Sequence, residues 1–122
     1  MNISYYKITL DINSTQSQVT IPIKRADNTK GLLITLTDGD KPYVIQNNCS
    51  AMFKAENKEG YELVDNCILV GNRIRYDLCF NYVGVFNCDV SLYDVEGNLL
   101  TSPMFTIVVD KRAADSGDWM KS

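Results

Sequence analysis

The clearest pattern in the chain is a strict alternation of apolar and polar residues toward its C-terminal end. Between Val85 and Tyr93, every second residue is apolar and the residues between them are largely polar. The apolar positions are Phe86, Cys88, Val90 and Leu92. Because successive side chains of a strand point to opposite faces, this period of two predicts a half-buried strand with Phe86 inside. A turn is predicted at 94–98, and a second strand from Leu99 to Val109.

Similar runs, separated by turn residues, predict further strands along the rest of the chain. These strands are 6–12, 19–23, 32–37, 43–45, 50–56, 67–70 and 73–80. Gly71-Asn72 is a two-residue loop typical of a tight hairpin. Pro22 cannot donate a ladder hydrogen bond, so its strand is predicted at a sheet edge. The pattern predicts an all-β fold, an immunoglobulin-like antiparallel β-sandwich of about seven to nine short strands.

Length and composition favour a single globular domain. The chain has 122 residues, of which 45% are hydrophobic and 22% charged, which is close to the average for such domains. We expect the sandwich to span residues 1–112 and a polar tail, or the start of a linker, to occupy 113–122. Trp119 in this tail is either part of a frayed end or an anchor for a partner. The N-terminus lacks the features of a signal peptide, and no apolar run is long enough to cross a bilayer.

The four cysteines are interpreted as free thiols. Cys49 and Cys88 share the period of neighbouring apolar residues, which predicts core positions where thiols act as small hydrophobes. No two cysteines have the close spacing of a zinc site. A disulfide between two of them remains open, because the sequence cannot fix a pairing.

The residue types exclude most catalytic chemistry. The chain has no histidine, which excludes the usual Ser-His-Asp and Cys-His arrangements. A net charge of −3 with scattered Lys and Arg argues against nucleic-acid binding. The acidic residues considered as paired carboxylates, without a specific pattern, are Asp11, Asp77, Asp89 and Glu96. We therefore predict no enzyme activity and no catalytic, cofactor-binding or metal-binding residues.

Seven tyrosines leave a carbohydrate-binding interpretation open. Tyr93 falls on the polar side of its strand, and several others lie near predicted turns, namely Tyr5, Tyr43, Tyr61 and Tyr82. Exposed rings can stack on sugars, but aromatic residues are also favoured in strands for packing and cross-strand pairing. Exposed tyrosines clustered on one face or one loop end would favour sugar binding.

A family likeness rests on an ordered set of segments that together span most of residues 5–110. The segments are Lys7–Ile12, Leu33–Asp38, Lys41–Tyr43, Ala51–Ala55, Ile74–Leu78, Gly84–Asp94 and Leu100–Val109. In their order and spacing they resemble the N-terminal domain of baseplate upper proteins from tailed phages of Gram-positive hosts.

This resemblance implies a structural role in a virion. It implies a sandwich that attaches the baseplate periphery to the tail hub and presents receptor-binding proteins for host adhesion, without catalysis or a cofactor. The partners expected are other baseplate and tail-hub proteins and the receptor-binding protein, with a homo-oligomer in the virion left open, and neither nucleic acid nor membrane. The expected location is the phage tail baseplate, assembled in the host cytoplasm. The alternative is a carbohydrate-binding module of a surface or secreted protein.

Overall fold

The computed structural model describes residues 2–113 and confirms the prediction of an all-β sandwich. Its ten strands are β1 (Ser4–Asp11), β2 (Gln16–Lys24), β3 (Lys30–Asp38), β4 (Lys41–Pro42), β5 (Ser50–Glu56), β6 (Glu62–Val70), β7 (Arg73–Asp77), β8 (Gly84–Tyr93), β9 (Leu99–Thr101) and β10 (Met104–Asp110). Apart from Ala113, the predicted tail with Trp119 lies outside the described residues, and the domain boundary at 112 stays a prediction.

Eight strands form one continuous path in the order β1-β3-β7-β6-β5-β8-β10-β2, while β4 pairs with β3 and β9 with β8. β6 connects the two layers, because Glu62–Cys67 pairs with β5 and Ile68–Val70 pairs with β7. The path folds over at β6, and its two ends meet where the Tyr6 hydroxyl donates to the Pro22 carbonyl at 3.0 Å. The strand with Pro22 is thus at a sheet edge, as predicted.

Most strand pairs are antiparallel, and two are parallel. β1 pairs with β3, and β2 pairs with β10, in the parallel sense. β1 and β2 are consecutive in the chain, but they lie at opposite ends of the strand path and belong to different layers. β1 runs in the same direction as its neighbour β3, and β2 runs in the same direction as its neighbour β10. A pattern of alternation within one strand carries no information about the direction of its neighbour.

The predicted strand from Leu99 to Val109 is divided in two by Ser102 and Pro103. The Ser102 N–H donates to the Val90 carbonyl at 2.9 Å. The Ser102 hydroxyl oxygen accepts from the Val90 N–H at 3.1 Å and donates to the Pro103 carbonyl at 3.0 Å. A side chain therefore replaces one ladder contact, and Pro103 has no N–H to continue the ladder. This division is one reason why the strand count exceeds seven to nine.

The strand predicted at 43–45 is absent, and β4 covers only Lys41–Pro42. The segment is held instead by the side chain of Asn72 in the β6–β7 turn. Its Oδ1 accepts from the Ile45 N–H at 2.7 Å, and its Nδ2 donates to the Tyr43 carbonyl at 2.8 Å. The amide satisfies both backbone groups, so no ladder is needed. The strand predicted at 67–70 in turn begins earlier, at Glu62.

Aromatic rings fill the space between the layers. Phe53 is fully buried and stacks on Tyr76 with ring centroids 4.3 Å apart. It also makes an edge contact with Phe80 and a tilted contact with Phe105. Phe86 is only 3% exposed, which confirms its predicted core position.

All four cysteines are free, as interpreted from the sequence. Cys88 is buried as predicted, whereas Cys49 is only half-buried at the edge of the core. Burial raises the pKa of Cys67 to about 12, and burial also raises the pKa of Cys88. These two thiols therefore stay protonated at neutral pH, which makes them unreactive.

Candidate interaction surface

Two of the four carboxylates considered for a catalytic pair, Asp11 and Asp77, have separate local partners. Asp11 accepts hydrogen bonds from the N–H groups of Asn13 and Gly39, and these bonds hold its pKa below the usual range. Asp77 accepts instead from the Tyr5 hydroxyl. Within residues 2–113, no group of three or more His, Cys, Asp or Glu side chains could hold a metal ion. No helix in that part of the chain is long and apolar enough to span a membrane.

The outer face of the layer β6-β7-β3-β1 carries a row of alternating apolar and cationic side chains. The strand registers place Ile68 opposite Arg75, and Arg75 opposite Leu33. Leu33 in turn lies opposite Lys7. Residues directly opposite each other project from the same face. One row across four strands therefore reads apolar, cationic, apolar, cationic.

A second apolar–cationic pair lies next to the first row, since Val70 lies opposite Arg73. A shallow depression runs between these side chains, with Leu33 and Val70 among its lining residues. We call the surface formed by the row and this pair the basic face. It consists of Lys7, Leu33, Ile68, Val70, Arg73 and Arg75.

The aliphatic residues of the basic face are unusually exposed. Ile68 is 53% and Val70 46% exposed, and Val64 on the same side of β6 is 50% exposed. The intervening Leu63 and Leu69 pack against the core. From residue 68 to residue 70, β6 is thus apolar on both sides, although a strand with one solvated side is normally polar there. Contiguous exposed apolar residues are typical of interaction sites.

The charge of the basic face is opposite to that of the whole chain, whose net charge is −3. Lys7, Arg73 and Arg75 supply three cations, and the acids beside them are Asp77 on β7 and Asp65 on β6, which line one depression with Arg75. Asp77 Oδ1 lies 3.8 Å from Arg75 Nε, which is an ion-pair distance beyond hydrogen-bond range. Arg75 Nε is buried and has no hydrogen-bond partner in the described part of the chain, whereas the whole side chain is 36% exposed. Lys7 and Arg73 have no acid opposite them in the register.

One border of the basic face is held by Tyr5, whose ring lies across Gly31. A Cβ atom on Gly31 would come within 2.5 Å of Tyr5 Cε1, so this close approach requires glycine. The Tyr5 hydroxyl donates to Asp77 Oδ1 at 2.9 Å. Desolvation raises the pKa of Tyr5, and this hydrogen bond to a carboxylate raises it further. The ring thus fixes Asp77 beside Arg75, while Lys7 and Arg73 are exposed.

The edges of the sheet are less suited to a partner than its face. The two end strands, β1 and β2, face each other, and the Tyr6 hydroxyl donates a hydrogen bond to the Pro22 carbonyl. Pro22 offers no N–H, and Lys7 and Lys24 place charges on these strands. Proline and lysine are common means of preventing strand addition at an edge.

The seven tyrosines do not gather on one face or at one loop end. The two most exposed, Tyr61 and Tyr82, at 44% and 51%, lie together. They stack on each other with ring centroids 3.8 Å apart, so each covers one face of the other. Tyr93 and the remaining tyrosines are buried or half-buried and lie on several elements. The arrangement thus gives no support to the carbohydrate-binding alternative.

The sequence analysis named no interface residue, so the basic face was missed. A local signal existed, because Arg73 and Arg75 have the outward period of their predicted strand and β6 is apolar on both sides from residue 68 to residue 70. The signal was incomplete, because Lys7 and Leu33 join the arginines only through the order β6-β7-β3-β1. That order involves strands far apart in sequence.

The chain matches one family model and is similar to solved structures. The family model described as the BppU N-terminal domain matches residues 4–122. Among solved structures, the crystal structure of CopC from Methylosinus trichosporium OB3b has 10% sequence identity and a TM-score of 0.46, covering 78% of this chain and 87% of that chain. A likeness at that level carries no argument about function. No curated protein matches the chain.

Proposed function

This chain belongs to the BppU N-terminal domain family of phage baseplate upper proteins, and we propose that it attaches peripheral receptor-binding parts of a tailed-phage baseplate to the tail hub. The family match over residues 4–122 is the observation that carries the proposal. The proposed partners are a tail-hub protein and the receptor-binding protein, and the proposed role is structural rather than enzymatic.

The surface of the domain supports an attachment role. The exposed aliphatic side chains of β6 and the neighbouring cations lie on paired strands of a sandwich rather than on loops. A rigid face needs little reordering on binding, which lowers the entropic cost of association. Such a face suits a domain whose task is to hold other proteins in fixed positions.

The thiols are compatible with assembly in the host cytoplasm, which we include in the proposal. All four cysteines are free, and a reducing compartment keeps thiols in this state. Release would follow lysis of the host, and the virion tail would be the final location.

Immunogold electron microscopy tests the proposed role. Antibodies against the purified chain are applied to particles of the source phage, and particles of a phage that lacks the gene serve as the control. We expect gold at the tail tip of the intact phage and none on the control. Tails without gold, when the same antibodies bind the free protein, would contradict an exposed position in the baseplate.

A second measurement addresses attachment itself. If the chain holds receptor-binding parts, tails of the deletion phage should lack peripheral density and should adsorb poorly to host cells. Complementation with the full chain should restore both properties. Complete peripheral density in the deletion phage would refute the attachment role.

A further inference from the structure

We propose that the basic face is the docking surface for a carboxylate-bearing surface of another baseplate protein, an inference that rests on the proposed function. The face combines three cations and three aliphatic residues on four paired strands. Each of these features restricts the chemistry of the partner.

The charge of the face selects an acidic partner. Lys7 and Arg73 are exposed, and the side chain of Arg75 is 36% exposed. Asp77 at the border forms an ion pair with Arg75, whereas Lys7 and Arg73 lie opposite aliphatic residues and have no acid opposite them. A local cluster of cations on a chain with a net charge of −3 steers acidic surfaces toward this face and repels basic ones.

The aliphatic residues favour a protein over a polyanion. A nucleic acid is held mainly by many cations that replace counterions along the phosphates, and it gains little from Ile68 and Val70. A protein interface has an apolar centre with polar groups around it. In the first row, Leu33 lies between Arg75 and Lys7, so apolar contact and charge pairing can occur together.

Arg75 adds a group that can recognise a carboxylate. Its only ion pair in the described part of the chain is the 3.8 Å contact from Nε to Asp77 Oδ1, and its side chain is 36% exposed. A guanidinium binds a carboxylate through two parallel hydrogen bonds. A partner carboxylate would approach Arg75 from this exposed side.

The first experiment measures binding of the full chain to purified tails of the source phage that lack this protein. The test variant is the double charge reversal Lys7→Glu with Arg73→Glu. The control is Lys58→Glu with Lys111→Glu, which makes the same change of charge at two exposed cations outside the strands. Urea unfolding of each variant confirms that the fold is kept.

We expect the wild type and the control to bind the tails alike. The test variant should bind about 10- to 100-fold more weakly, because each reversal places like charges together in the interface. Binding of the wild type should also weaken as salt is raised. If the test variant binds as well as the control, the basic face is not the docking surface, although the attachment role stands. If the wild type itself does not bind, the attachment role and this inference both fail.

The second experiment identifies the partner group. A carbodiimide joins a lysine amine directly to a carboxylate in contact with it, and mass spectrometry locates the link. We expect a link from Lys7 to an Asp or Glu of a tail protein. Lys7→Arg keeps the charge, so it should keep binding and lose the link.

Other occupants would give different results. Self-association of the purified chain that the test variant abolishes, with links from Lys7 to a second copy, would overturn the assignment to a different protein. Competition by a double-stranded oligonucleotide for the tail-binding site would overturn the assignment to a protein carboxylate.

Discussion

The aromatic core allows a prediction of rank order that depends on side-chain contacts and not on burial alone. Phe53 and Phe86 are both buried, at 0% and 3% exposure. We expect Phe53→Ala to destabilise the domain more than Phe86→Ala. Large-to-small changes of a buried phenylalanine cost about 3–5 kcal/mol, so the question is where in this range each residue falls.

The difference follows from what surrounds the two rings. Phe53 contacts three aromatic rings, with centroid distances of 4.3, 6.3 and 6.3 Å. Phe86 contacts one, Phe80, at 4.9 Å. Each favourable aromatic pair adds about 0.5–1.5 kcal/mol beyond area burial. Phe86 also lines a pocket that opens to solvent. The space left by Phe86→Ala would therefore be continuous with this pocket rather than form an enclosed cavity. We expect about 3 kcal/mol for Phe86→Ala and about 5 kcal/mol for Phe53→Ala.

Urea unfolding, followed by far-UV circular dichroism, measures both free energies. Val85→Ala is the control, because Val85 precedes Phe86 on the opposite face and is 56% exposed; it should change stability by less than about 0.5 kcal/mol. A loss for Phe86→Ala below about 1 kcal/mol would mean that its assigned face is wrong. A loss equal to that of Phe53→Ala would refute the part assigned to the ring contacts and to the open pocket.

Three further predictions concern local contacts. Asn72→Ala should cost about 1–3 kcal/mol in urea unfolding, because two backbone groups lose their hydrogen-bond partners, and a protease should then cut the segment after β4 more readily. Gly31→Ala should cost about 1–3 kcal/mol through overpacking against the Tyr5 ring, and most of the cost should disappear in a Tyr5→Ala background. Hydrogen bonds from the Asn98 side chain and from backbone N–H groups lower the pKa of Asp94, so its carboxylate stabilises the fold above its unfolded pKa of about 3.9. That contribution should be lost as pH falls below about 4, and urea titrations of the wild type and Asp94→Asn should converge there rather than stay a constant distance apart.

The sequence predicted those parts of the fold that depend on contacts within one strand or one hairpin. The alternation around Phe86 gave the correct buried face, and Gly71-Asn72 gave the correct hairpin loop. The predictions at 43–45 and at Ser102 failed because side chains replace ladder hydrogen bonds there. Asn72 acts on residues more than 25 positions away, and periodicity does not register such contacts.

The basic face could not be predicted for a related reason. Lys7 and Ile68 are 61 positions apart, and they share a face only because β3 and β7 lie between their strands. The net charge of −3 gave no indication of a cationic surface, because it sums the charged residues of all faces. An average over the chain excludes a nucleic-acid footprint but does not describe a single face.

The two sides of β6 are explained by different requirements. Its inward residues, such as Leu63 and Leu69, are fixed by the core against which they pack. Its outward Ile68 and Val70 remain about half exposed, so they bury little area and contribute little to the stability of the isolated chain. Strand propensity does not require them either, because threonine is also β-branched and would serve a solvated side equally well. Aliphatic residues at these positions are instead expected where a second protein completes their burial. That requirement places the aliphatic residues and the cations of the basic face in one interface.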